Sequence, residues 1–218
     1  MARRAHKLSV FIVVASALFA NGANARSRVP QEAGPPAPIA AATPTLAPFQ
    51  HVRFCVHYPS ECANEARTLD RIEMNAGISD LLKHVNHDVN AAINPRAKTY
   101  GSDLRDAWMI APASGDCNDY AVTKRHDLIA SGLPAKALRL SVVKTTSGVG
   151  HLVLVVATSA GDLVMDNLTD AIRPWKSTSY QWLKIQSSAD ARFWYEIREP
   201  KLEANGSPAH RKLRFAVR

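Results

Sequence analysis

The feature that most constrains this chain is the run GHLVLVVATSAGDLVMDNLT at residues 150 to 169. HLVLVVAT, rich in Val and Leu, is its clearest strand. TSAGD has turn chemistry, and LVMDNLT reads as a second strand with Asp166 as its polar interruption. Loop length sets the pairing. A four-residue loop over 158 to 161 would pair Ala157 with Asp162 and set Val153 opposite Asp166. His151 would then be a diagonal cross-strand neighbour of Asp166, within side-chain reach. A tighter turn centred on Ala160 and Gly161 would carry Asp166 too far away. Asn167 reads either as a partner of Asp166 or as a strand-end polar residue.

Upstream lies SGDCNDYAVTKRHDLIASGLP, residues 114 to 134. Tyr120, Ala121, Leu128 and Ile129 have helical spacing. Gly132 and Pro134 stand where a helix ends, and Asp116 or Ser114 can cap its start. Cys117 therefore falls in the first turn, where unpaired backbone N–H groups and the macrodipole favour a thiolate and can hold an oxyanion. Asp119 reads as a helix-start acid with a capping or dipole role.

The chain has three cysteines. Cys55 and Cys62 flank a turn in FCVHYPSEC, a spacing suited to a disulfide in an oxidising compartment. A metal site is the weaker reading, because no second Cys or His pair has zinc-site spacing. Cys117 is then the odd cysteine, in polar company that argues against burial.

A cysteine nucleophile needs a base and a group that orients it. Eight histidines are available. His6 lies in the N-terminal leader, His210 in the tail, and His51, His57, His84 and His87 in linker or amphipathic-helix context. His126 is two and a half turns beyond Cys117 on the same helix, too far to reach back. His151, at the head of its strand, is the remaining partner, with Asp166 as third member.

The N-terminus, MARRAHKLSVFIVVASALFANGANA, has a basic start, an apolar run from Val10 to Ala20 and a small-x-small signal at Ala23 to Ala25. It reads as an export signal over residues 1–25; the run is shorter than the roughly 20 residues a bilayer span needs. Its removal lowers the net charge from +8 to about +5. That mild excess, without a basic stripe interleaved with aromatics, argues against nucleic acid. Residues 26–51 read as a Pro/Ala-rich linker, 52–200 as one domain, and 201–218 as a solvated basic tail. Segment 65 to 93 reads as amphipathic helix. Trp175, Trp182, Trp194 and Tyr180 read as core and rim aromatics.

Taken together, GDCNDYAVTKRHDLIASGLP, GHLVLVV and LVMDNL resemble the bacterial transglutaminase-like cysteine proteinases, exported relatives of papain and transglutaminase. The resemblance covers about residues 52 to 198, including the FC…EC cysteines and the DAW at Asp106 to Trp108. It implies a catalytic triad on Cys117, His151 and Asp166. The best-known members are periplasmic, calcium-dependent proteases that clip surface adhesins and are restrained by an inner-membrane receptor for a cyclic dinucleotide. In them, acids flanking the cysteine serve calcium. Asp116 matches this pattern, whereas Asn118 stands where they carry glutamate, and a neutral amide is a poorer calcium ligand.

The expected fold is α+β, papain/transglutaminase-like: N-terminal helices and a catalytic-Cys helix packed on an antiparallel sheet that starts with residues 133 to 145. The expected function is an exported cysteine peptidase, periplasmic or secreted, acting on a protein or peptide through a thioester. The Cys117 N–H supplies one oxyanion donor, with the Trp108 indole N–H as candidate for the second. Amine in place of water would make it a transglutaminase. Rival readings are a catalytically silent periplasmic binding module and a hydrolase of peptidoglycan peptides.

Overall fold

A computed structural model describes residues 37–64, 69–98 and 107–198. The export signal at 1–25, the start of the linker and the basic tail at 201–218 lie outside the described residues.

Within them the chain runs β1 (Ala41–Thr45), α1 (Phe49–His57), α2 (Ala76–Ala92), β2 (Asn94–Pro95), β3 (Ser114–Gly115), α3 (Cys117–Ala130), β4 (Leu138–Lys144), β5 (Gly150–Thr158), β6 (Gly161–Met165), β7 (Arg173–Pro174), β8 (Gln181–Gln186) and β9 (Trp194–Ile197). Seven strands form one antiparallel sheet in the order β1-β9-β8-β4-β5-β6-β7. The α+β expectation matches this architecture.

β5 is an interior strand, paired to β4 on one side and β6 on the other. Its apolar run follows from cover on both faces. Leu152, Leu154 and Val156 join a cluster with Leu128 of α3 and Leu82 and Val89 of α2. Val153 and Val155 join a second cluster with Val143, Val164, Ile185, Trp175, Trp182 and Ile39. Each such fully buried Val or Leu contributes about 1.5–3 kcal/mol of transfer free energy.

Two sequence expectations are corrected. Residues 37–51 are not all spacer. Ile39 is buried in the second cluster, and its N–H donates to Asp162 Oδ2 at 2.8 Å. Residues 41–45 form the sheet edge on β9. A proline such as Pro44 is tolerated on an edge strand, so composition alone misleads there. The helix predicted over 65 to 93 begins only at Ala76, because the Asn75 side chain caps it by accepting from Ile78 N at 2.9 Å. Ile72, before the cap, instead bridges to Thr158 at the end of β5. Within α2, Leu82, Val85, Asn86 and Val89 form the buried face at helical spacing.

α3 sits between α2 and the sheet, with eight of its fourteen residues buried. Its end is a Schellman motif: Leu133 N donates to Leu128 O, Gly132 N donates to Ile129 O, and Gly132 supplies the positive φ of 89°. Among the described residues, no helix is long and apolar enough to cross a membrane.

Candidate active site

Cys117 is the first residue of α3 and is partly exposed. Asp116, the acid matched to calcium, is the N-cap: its Oδ1 accepts from Asn118 N at 3.1 Å. Asp119 returns the bond, its Oδ2 accepting from Asp116 N at 2.9 Å. This capping box fixes the first turn and leaves the cysteine at the positive end of the helix. The glycine before Asp116 is a packing requirement. A Cβ on Gly115 would lie 2.2 Å from Asp119 Oδ2.

His151 and Asp166 come from the hairpin. Ala157 pairs with Asp162 and Leu154 with Met165, the register that the four-residue loop predicts. Gly161, with φ 103°, makes the corner. His151 Nε2 lies 2.8 Å from Asp166 Oδ1, both side chains buried. Cys117 lines the same cleft as this imidazole, close enough to contribute to its shift. With Nε2 engaged by Asp166, Nδ1 is the ring nitrogen left for a proton from the cysteine. Burial pushes His151 down, but hydrogen bonds to Asp166 and Cys117 and their charges outweigh it and raise its pKa from 6.5 to about 9.

Asp166 is held from several sides. Its Oδ1 also accepts from Leu168 N at 3.0 Å, its Oδ2 accepts from the Tyr180 hydroxyl, and its backbone carbonyl accepts from Asn90 Nδ2 at 3.0 Å. Burial pushes the carboxyl up, yet the bonds to His151, Tyr180 and Leu168 hold it below its ordinary value. Burial and the Asp166 contact raise Tyr180. Lys124, fully buried two turns along α3 from Cys117, is lowered to about 7 by burial, against the charges of Asp166 and Asp170.

Cys117 and His151 open onto a cleft of about 580 Å³ whose lining includes Trp108, Gln50, Lys98 and Asn118. Trp108, the candidate oxyanion donor, is 3% exposed and thus fixed in this wall. Sequence reasoning missed three residues here. Tyr180 was grouped with structural aromatics. Gln50, placed in the linker, lines the cleft with its Oε1 buried and unpartnered. Lys98 carries no local motif, and only the fold brings it to α3.

The remaining sequence candidates fall elsewhere. Cys55 and Cys62 form a disulfide with Cα atoms 5.5 Å apart. With His51 they are the one metal-like grouping among the described residues, and the disulfide leaves no thiolate there. His51 is a core residue, accepting from Trp194 Nε1 at 3.2 Å; burial, then the charge of Arg125, lowers its pKa to about 4. Trp175, Trp182 and Trp194 are buried core residues. Asn167 has its Oδ1 buried without a partner.

The model of one family, the bacterial transglutaminase-like cysteine proteinases, matches residues 41–202. No curated protein matches. Among solved structures, calcium-bound Legionella pneumophila LapG is similar at 23% identity and a TM-score of 0.47, covering 57% of this chain and 74% of that one. The EGTA-treated form of the same protein is similar at 25% identity and a TM-score of 0.42, over 50% of this chain and 62% of that one.

Proposed function

The chain belongs to the bacterial transglutaminase-like cysteine proteinases, and we propose that it is an exported peptidase using Cys117 as nucleophile, His151 as base and acid, and Asp166 as orienting group. The observation that carries this reading is one imidazole that shares a cleft wall with the free cysteine and is bonded to a buried carboxylate. The export-signal pattern at residues 1–25 supports a periplasmic location.

His151 Nδ1 takes the Cys117 proton, giving thiolate and imidazolium, and Asp166 stabilises the imidazolium through Nε2–H. The thiolate attacks a peptide carbonyl carbon in the cleft. Negative charge moves to the carbonyl oxygen, which faces the Cys117 N–H at the start of α3, with Trp108 as second donor. The C–N bond breaks as the imidazolium protonates the leaving amine, and a thioester remains. Water then gives its proton to His151, attacks the thioester, and releases the carboxylate and the thiolate. A primary amine in place of that water would yield transamidation; family membership favours hydrolysis.

The substrate we propose is an extended segment of a protein at the cell surface, with an inner-membrane protein as regulator. Incubating the mature protein with a peptide library and sequencing the fragments tests the reading. Cleavage by wild type and none by Cys117→Ala is expected. Equal cleavage by both, or none by either across a diverse library, contradicts it.

A further inference from the structure

Calcium is the cation the family implies, and the acids around Cys117 are its candidate ligands. Both oxygens of Asp119 and one of Asp116 are already committed. Asp119 Oδ1 accepts from Lys98 Nζ at 2.6 Å and from Met109 N at 2.8 Å, and its Oδ2 accepts from Asp116 N at 2.9 Å. Asp116 Oδ1 accepts from both nitrogens of Asn118 at 3.1 Å. The Lys98 and Asp119 side chains are 1% and 0% exposed, so a buried ammonium sits against the carboxylate. A divalent ion there would face an unscreened like charge. The residues do not fit calcium at this place.

Lys98 does more than neutralise Asp119. Its Nζ also donates to Ala107 O at 2.8 Å. The ammonium and the carboxylate thus grip the backbone at Ala107 and Met109, on either side of Trp108. The same carboxylate closes the capping box of α3. The structure points to Lys98 as a built-in cation. We infer that its ammonium sets Trp108 against the start of the cysteine helix, and that the chain needs no calcium to do so. Lys98 is a positioning residue that acts through Asp119 and Trp108. The consequence for turnover rests on the peptidase reading, whereas the cation assignment does not.

The test uses the full mature protein with calcium chloride as probe. The thermal midpoint of wild type is expected to agree within about 1 °C in EGTA and in millimolar calcium, with no calorimetric binding; each kcal/mol of linked stabilisation would move a domain of this size by about 2–4 °C. Lys98→Ala should lower the midpoint. It should also slow acylation of Cys117 by a p-nitrophenyl ester about tenfold more than alkylation by iodoacetamide, because only acylation needs an oxyanion donor. Ethylammonium, small enough to refill the gap, should restore acylation. A wild-type midpoint that climbs with calcium would overturn the inference. So would a Lys98→Ala protein that acylates normally, or one that ethylammonium leaves unrepaired. If Lys98→Ala does not fold, the calcium titration of wild type decides alone. Failure of the peptidase reading would show separately, as loss of His151-dependent alkylation.

Discussion

His151 Nε2 and Asp166 Oδ1 lie 2.8 Å apart across the β5–β6 hairpin, and that contact gives the imidazole its direction. It fixes Nε2 as the protonated nitrogen, because an ionised carboxylate only accepts, and leaves Nδ1 for the cysteine proton. Asp166→Asn would reverse the hydrogen-bond preference and favour the wrong tautomer. A loss in kcat of roughly 10²- to 10⁴-fold is expected, with the fold intact by circular dichroism.

The pH profile follows from the direction of the His151 shift. Its pKa is raised to about 9, so the imidazolium persists below that pH and is lost above it. Because the leaving amine takes its proton from the imidazolium, kcat/KM should fall as pH rises through about 9. In Asp166→Asn the alkaline limb should move to lower pH, since the bond and charge that raise His151 are gone. A limb that stays in place would contradict Asp166 as the cause.

Tyr180 anchors the far oxygen of the same carboxylate. A hydrogen bond to a charged group contributes about 1.5–3 kcal/mol, much of it felt here as orientation. Tyr180→Phe should lower kcat by roughly tenfold with KM little changed. The comparison to make is steady-state kinetics of Tyr180→Phe beside Asp166→Asn.

Gly115 has no room for a side chain against Asp119. Gly115→Ala must displace the carboxylate that closes the capping box, at a cost of about 1–3 kcal/mol. The thermal midpoint should drop by several degrees, and Cys117 alkylation should slow with it.

The Cys55–Cys62 disulfide closes a short loop of sequence separation 7, for which chain entropy gives about 2 kcal/mol. Dithiothreitol should therefore lower the thermal midpoint while leaving the free Cys117 reactive. Loss of Cys117 reactivity at temperatures where the protein remains folded would show that the disulfide also shapes the site.

Much of the frame around the candidate site was legible because its parts are local. The cap before Cys117, the Schellman glycine and the hairpin register each depend on residues a few positions apart, and each leaves its mark in sequence. What escaped depends on long-range placement. Lys98 meets Asp119, Tyr180 meets Asp166, and Gln50 meets the cleft only after sheet and helices assemble. The linker misreading has a related cause. Proline density marks β1 as a spacer, whereas its role is to edge the sheet and bring Ile39 over the second core.

The central claim is that His151 activates Cys117, and alkylation by iodoacetamide at pH 6 tests it most directly. An isolated thiol, ionising near ~8.5, is almost wholly protonated at that pH and labels slowly. The account predicts rapid labelling of wild type and a fall of at least about tenfold in His151→Ala. Equal, slow labelling of both proteins would contradict it.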